Sequence, residues 1–241
     1  MKVINGEPLV SVVIPAYNCE RWITKTLKTV FNQTYKNIEI IIVNDGSIDR
    51  TSEILRKYGN CNNVSIYTIE NSGPAIARNY GVSKSKGTLI AFLDADDLWD
   101  SKKIEKQVHY FMEFNSNLVI TDVKIINEDD EIIGTQEKVL PKDPKQQVIS
   151  FFQGEITMNT PTIMVKKSVF DDIGGFNTNL IHREDHFFLM QVAFRYGIDL
   201  LNEYLVYRRR WGESMSKDII RVKMDEDSMI RFFHDTRYQF Y

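Results

Sequence analysis

The chain has 241 residues, 43% hydrophobic and 26% charged, which is enough apolar material for one good core and at most a small extra lobe. Its 30 Lys and Arg against 33 Asp and Glu, a net charge of -3, exclude a protein built to coat nucleic acid, since that work needs a strong basic excess. Its two cysteines, Cys19 and Cys61, exclude a disulfide framework and lack metal-ligand spacing, so a reducing, cytoplasmic setting is expected.

The first eight residues carry Glu7 and Pro8 where a secretory signal would be apolar, and no run reaches the roughly 18 to 20 apolar residues of a membrane span. Any membrane contact is therefore expected to be peripheral, on the inner face. Leu9 to Ile14 is a β-branched run closed by Pro15 and reads as a buried strand. Trp22, Ile23, Leu27, Val30 and Phe31 then recur at helical spacing between about Glu20 and Asn32. Ile38 to Val43 is a second strand ending in the turn Asn44-Asp45-Gly46-Ser47, and Asp49 is placed to cap a helix running to about Tyr58.

A third strand, Val64 to Ile69, leads to Asn71-Ser72-Gly73-Pro74, with Pro74 suited to the first turn of a helix. The fourth, Thr88 to Leu93, delivers Asp94-Ala95-Asp96-Asp97. Strands alternating with helices at this spacing predict an α/β protein with a mostly parallel, Rossmann-like sheet and helices on both faces. Ligands collect at the carboxyl ends of such strands, so Pro15-Ala16-Tyr17, Asp45-Gly46-Ser47 and Asp94-Ala95-Asp96 are expected on one rim.

The second half is less regular. A helix is predicted from about Asp100 to Phe114, a strand at Leu118 to Ile120, and a polar hairpin turn at Asn127 to Asp130. Pro141 to Pro144 is the best linker, though too short to separate autonomous domains. Thr160 to Lys166 reads as a strand, Asp185 to Tyr196 as a helix and Leu200 to Arg208 as a last strand.

Asp94 and Asp96, two apart, can bring both carboxylates to one hard cation with oxygen ligands. Alone, the same residues read equally as a solvated acidic turn capping the next helix. Three other nucleotide or cation motifs fail on specific residues. The dinucleotide fingerprint would need glycines where Pro15 to Glu20 stand, no Walker A loop occurs, and an EF-hand loop begun at Asp94 places Trp99 at its invariant glycine.

Taken together, Val13 to Asn18, Val43 to Ser47 with Asp49 and Thr51, Gly73-Pro74-Ala75 with Ala77-Arg78-Asn79 and Gly81, and Phe92 to Trp99 followed by Lys103 to Gln107 resemble the family 2 glycosyltransferases. The resemblance covers about the first half and thins afterwards to Gly174-Gly175-Phe176, Glu184-Asp185 and Tyr207-Arg208. It implies a GT-A fold and inverting transfer of a hexosyl or N-acetylhexosaminyl group from a nucleotide diphosphate donor, with UDP the expected nucleotide. A glycan or lipid-linked hydroxyl in surface polysaccharide assembly is the expected acceptor. It also implies one domain over residues 1–241, with a donor half at about 8–115, an acceptor and base half at about 116–216 and a helical tail at about 217–241.

In those roles Asp45 would accept the uracil N3–H, and Pro15, Ala16 and Tyr17 would frame the base or its ribose, with Tyr17 stacking. Gly73 would let the backbone approach the donor, and Arg78, one turn into its helix, would meet the diphosphate. Asp96 with Asp94, joined by Ala95, would hold Mn²⁺ or Mg²⁺, while Asp97 and Asp100 serve as turn and cap residues. By the same resemblance Asp185 is the expected general base, with Glu184 beside it. His182 and His186, four apart around this pair, also suggest a zinc hydrolase, but that motif wants glutamate where Asp185 stands.

One departure from the family pattern concerns the segment after Tyr207-Arg208. A histidine often found there is replaced by Arg209-Arg210-Trp211-Gly212, leaving a third protein metal ligand in doubt. These residues are candidate diphosphate or acceptor contacts, or a solvated basic edge. The apolar residues of the tail are candidates for packing on the core, on a second subunit or on a membrane. Two rival readings remain: a nucleotide-sugar-binding subunit without catalysis, and a nucleotidyltransferase.

Overall fold

Val10, Val12 and Ile14 send their side chains to one face of the first long strand and Val13 to the other, and all are fully buried, so this strand lies between two apolar layers. It is β3 (Val10–Ala16) in a computed structural model that describes residues 3–4, 6–180 and 183–212. Before it, β1 (Val3–Ile4) and β2 (Glu7–Pro8) form a small antiparallel pair. β4 (Ile38–Asp45), β5 (Val64–Ile69) and β6 (Leu89–Phe92) continue the sheet in parallel, in the order β5-β4-β3-β6.

The same sheet runs on through the second half. β7 (Leu98–Trp99), β8 (Leu118–Ile126), β9 (Ile132–Gln136), β10 (Met164–Lys166) and β11 (Asp199–Arg209) extend it in the order β6-β10-β8-β11-β7, with β9 paired to β8. β10 is antiparallel to both neighbours, whereas β8 and β11 are parallel.

One face is covered by α1 (Ile23–Phe31) and α4 (Lys103–Phe114), through Ile23, Leu27 and Val30 and through Ile104, Val108 and Phe111. α2 (Thr51–Arg56) adds Leu55 to that layer. The other face carries α3 (Pro74–Lys84), α5 (Pro144–Phe152), α6 (Lys167–Ile173) and α7 (Glu184–Tyr196). α3 lies unusually close to the sheet because of Gly81: a β-carbon there would stand 2.5 Å from Val13 Cγ1. Parallel strands sandwiched by helices are thus the observed architecture, as the spacing predicts.

The second half departs from its reading in four places. Pro141 to Pro144, read as a linker, opens α5: Pro144 sits at its first position and the Asp143 carboxylate accepts from Lys145 N. Buried Gln147 then ties α5 in place, donating to Pro141 O and Ile198 O and accepting from Ile198 N. Thr160 to Lys166 is not one strand but a 3₁₀ turn at Thr160–Thr162 followed by β10. The helix read from Asp100 begins at Lys103, and α6 went unrecognised, although Gly174 closes it at φ 88°.

Candidate functional site

Three turns share the rim at the carboxyl ends of β3, β4 and β6. Tyr17 stands 49% exposed just past β3, with Ala16 buried behind it and Pro15 half-buried. Asp45, the last residue of β4, is buried and accepts from Ser72 N at 2.8 Å and Gly73 N at 2.9 Å, so its carboxylate fixes the turn before α3. Each oxygen keeps further acceptor capacity for a ligand donor. Gly73 adopts φ 90°, a region side chains avoid, and a β-carbon there would meet nothing within 4 Å, so the turn is open to a ligand.

The acidic turn follows β6. Asp94 O accepts from Asp97 N, and Ala95 O accepts from Thr26 Oγ1 on α1, which fixes the backbone between the two acids. The Asp94 side chain is 30% exposed, open enough for a ligand. Burial, and then the Asp94 charge, raise the proton affinity of Asp96, while a hydrogen bond from Trp211 opposes them. Asp97 is buried, accepts from Arg209 N at 2.8 Å and is raised further, by burial and then by Asp96 and Asp94.

Arg78 joins this turn to a distant part of the chain. It is 5% exposed, and donates through Nη2 to Asp94 Oδ1 at 2.7 Å and through Nη1 to Glu184 Oε1 at 2.6 Å. Burial favours loss of its proton, but the two carboxylates outweigh that and hold it more firmly than usual. Its guanidinium carbon lies 5.6 Å from the centroid of the Phe176 ring, and the next residue, Asn79, exchanges hydrogen bonds with Phe176 N and O. Gly175 permits that clasp, since a β-carbon there would stand 2.7 Å from Asn79 Oδ1. Arg78 was expected at the diphosphate; its terminal nitrogens are instead occupied by carboxylates, and its position makes it a bridge.

Glu184 and Asp185 open α7. Burial raises Glu184 against the pull of Arg78. Asp185 moves the other way: burial opposes its ionisation, but hydrogen bonding and charge from His186, then Arg78, hold it well below the ordinary carboxylate range. Its Oδ1 accepts from His186 N at 2.8 Å, and its Oδ2 accepts from Thr160 Oγ1 at 3.3 Å. Thr160 was read only as part of a strand, and nothing short-range in the sequence marks it as a partner of Asp185.

The end of β11 clamps the acidic turn from the opposite side. Arg209 is buried, donates through Nε to Asp96 O and through Nη1 to Asn127 O, ion-pairs with Asp130 at 2.5 Å and stacks 4.2 Å above Trp22. It is therefore not a solvated edge, which corrects that reading, and its guanidinium is taken up by Asn127, Asp130 and Trp22. Arg210 is exposed, with no side-chain partner among the described residues. Trp211 Nε1 donates to Asp96 Oδ2 at 2.9 Å.

Among the described residues no three His, Cys, Asp or Glu converge as a metal cage. Asp94 and Asp96 still fit a divalent cation, because they crowd like charge at one turn and each keeps one carboxylate oxygen with no other side chain bonded to it. Such an ion would complete its shell from a diphosphate and water, as Mg²⁺ commonly does. His182 of the zinc reading and the tail from Glu213 onward lie outside the described residues. No described helix is long and apolar enough to cross a membrane.

A curled, mostly parallel sheet with a carboxylate turn at its rim defines the class as GT-A, and the solved structures agree. The chain superposes on a Pyrobaculum calidifontis mannosyltransferase, PcManGT, in complex with GDP-Man and Mn²⁺, with TM-score 0.71, covering 95% of this chain and 65% of that one at 17% identity. It superposes on Staphylococcus aureus TarS 1-349 in complex with UDP-GlcNAc with TM-score 0.69, covering 95% and 73% at 21% identity. The family model for glycosyl transferase family 2 matches residues 11–174, and the chain belongs to that family. Curated relatives include the putative teichuronic acid biosynthesis glycosyltransferase TuaG of Bacillus subtilis, 36% identical over 151 residues, 60% of each chain. Another is the Escherichia coli UDP-Glc:alpha-D-GlcNAc-diphosphoundecaprenol beta-1,3-glucosyltransferase WfaP, 47% identical over 102 residues, 42% of this chain and 41% of that one. The chain spans less than two thirds of the length of the first curated relatives it matches, 19% to 63%.

Proposed function

We propose that this chain is an inverting glycosyltransferase that moves a hexosyl or N-acetylhexosaminyl group from a UDP-sugar to a hydroxyl of a glycan or lipid-linked acceptor in surface polysaccharide assembly. The observation that carries this reading is the Arg78 bridge, which links the acidic turn at Asp94 to the acidic pair at Glu184-Asp185, with Arg78 and Glu184 themselves 106 residues apart in sequence. In this reading residues of about 8–115 bind the donor, and about 116–216 bind the acceptor and supply the base.

Asp45, Tyr17 and the Gly73 turn receive the nucleotide, and Asp94 and Asp96 face its diphosphate. Mn²⁺ or Mg²⁺ bound there would neutralise charge on the departing diphosphate. Asp185, held ionised, takes the proton of the acceptor hydroxyl. The freed oxygen attacks the anomeric carbon from the face opposite the phosphate as the carbon–oxygen bond to the nucleoside diphosphate breaks, so the configuration inverts. Arg78 keeps the two acidic groups in register without touching the reacting atoms.

The donor assignment draws support from the UDP-GlcNAc complex of TarS and from the UDP-Glc in the name of WfaP, whose diphosphoundecaprenol acceptor also motivates a lipid-linked acceptor here. A thermal-shift panel of UDP-, GDP- and dTDP-sugars with and without Mn²⁺ tests it. UDP-sugars should stabilise the protein most, by about 2.7 kcal/mol at 100 times Kd, and more tightly with the metal. Equal or absent shifts across the panel would overturn the donor assignment.

A further inference from the structure

The acidic turn offers a cation only two side-chain ligands, and one oxygen of each is already taken. Asp94 Oδ1 receives Arg78 Nη2, and Asp96 Oδ2 receives the indole N–H of Trp211. The second contact is the less expected, because Trp211 lies 115 residues further along, past the end of β11. Its approach is not accidental crowding. Arg209 donates its backbone N–H to Asp97 and its Nε to the carbonyl of Asp96, and its guanidinium is itself gripped by Asn127 O, Asp130 and the face of Trp22. β11 also runs in parallel register with β8 up to Arg209, opposite Ile126, and Arg210 N extends that ladder to Ile126 O. Trp211 is therefore delivered to Asp96 by a strand end anchored on three sides.

A carboxylate at a turn rotates about χ2 unless one of its oxygens is held, and an indole N–H can only donate. A single such donor leaves the second oxygen free and directed. We propose that Trp211 is a positioning residue for the cation site, fixing Asp96 through Oδ2 so that Oδ1 is the oxygen presented to the metal. Arg209 serves as the anchor that brings it there. This inference rests on the metal-assisted reading given above. It assigns Trp211 a part different from a direct diphosphate or acceptor contact, and it explains how a site with few protein ligands holds them in order. Groups that orient a metal ligand from behind typically govern metal affinity by about 10- to 100-fold when removed.

The test reads metal binding rather than turnover. Mn²⁺ is titrated into the full chain with UDP present, and free Mn²⁺ is followed by electron paramagnetic resonance, for the native protein, Trp211→Phe, Asp96→Asn and the double variant. UDP affinity in EDTA is measured for each in parallel, and circular dichroism confirms folding. Trp211→Phe keeps the ring and loses only the N–H, so Mn²⁺ affinity should fall about 10-fold while UDP affinity in EDTA holds. In the Asp96→Asn background the same change should cost less than about twofold, because the indole acts through that carboxylate.

An equal loss of UDP affinity in EDTA would mark Trp211 as a packing or nucleotide-contact residue and overturn the proposal. So would native Mn²⁺ affinity in Trp211→Phe, which leaves the metal-assisted reading intact. Native protein that binds no Mn²⁺ even with UDP would remove both. Should Trp211→Phe fail to fold, Trp211→Gln, whose amide N–H can still donate, and Trp211→Leu, which has no donor, take its place, and equal Mn²⁺ affinities in those two overturn the proposal.

Discussion

At the ends of β3, β4 and β6 the rim is shaped by short polar side chains closing on nearby backbone: Asp45 gathers the N–H groups of Ser72 and Gly73, Asn44 accepts from Ser47 N, and Gly73 holds a positive φ. Around β8, β11 and α7 the work falls to long side chains that reach between elements. Gln107 on α4 donates to Val119 O and Thr162 O, Gln147 ties α5 to Ile198, Arg78 spans Asp94 and Glu184, and Arg209 gathers Asp96, Asn127 and Asp130. A rim made by strand ends follows from the sheet itself, and each of its short side chains fixes only its own turn. A region held by buried side-chain hydrogen bonds loses its geometry when one group is removed, because the partner left behind is buried and unpaired.

Substitutions at four positions probe that contrast. Asp96→Ala, on the regular side, removes a proposed ligand together with the acceptor of the Trp211 indole N–H; turnover should fall about 10³-fold, about 4 kcal/mol, with the Mn²⁺-dependent part of UDP binding lost and only a small drop in melting temperature. Arg78→Met, on the other side, leaves Glu184 buried without its cation, and urea unfolding should show a loss of about 3 kcal/mol. Arg78→Lys should lose less. A melting curve unmoved by Arg78→Met would break the distinction between the two regions.

Gly81→Ala tests the close approach of α3 to the sheet. Its new methyl group would press on Val13 and Val43, for a cost of about 2 kcal/mol in chemical denaturation. The smallest effect belongs to Asp97→Asn. Asparagine can still accept from Arg209 N, and it removes a charge that burial, Asp96 and Asp94 all oppose. Because the native Asp97 carboxyl binds its proton more tightly than the unfolded one, its contribution to stability falls as pH rises from about 4 through the raised native value. Asp97→Asn should flatten that decline and leave stability at pH 7 equal or slightly higher, as unfolding curves at pH 4.5 and 7.5 would show.

The same division explains what could be read from the chain alone. Val10 to Ile14 and Ile38 to Val43 are buried parallel strands, and such strands advertise themselves as β-branched runs ending in turn residues. The rim residues Tyr17, Asp45, Gly73, Asp94 and Asp96 were legible for that reason. The Arg78–Glu184 pair was not, since no local pattern reports a contact across 106 residues. Arg209 misled in a different way: three consecutive arginines look solvated, yet at the end of β11 this middle one of the three turns inward to face Asp96 and Trp22. Two signals were present and went unused, the Asp143-Pro144 start of α5 and the Gly174 stop of α6.

In the proposed mechanism donor binding and proton removal belong to separate carboxylates, the first at Asp94 and Asp96 and the second at Asp185. The most direct measurement compares native protein with Asp185→Asn, using radiolabelled UDP-Glc and UDP-GlcNAc with a diphosphoundecaprenol-linked GlcNAc acceptor, and measuring UDP affinity in parallel. General-base removal predicts a fall in transfer of about 10³-fold with UDP affinity unchanged within about twofold. Native rates of transfer by Asp185→Asn, or a loss of UDP binding as large as the loss of transfer, would contradict it.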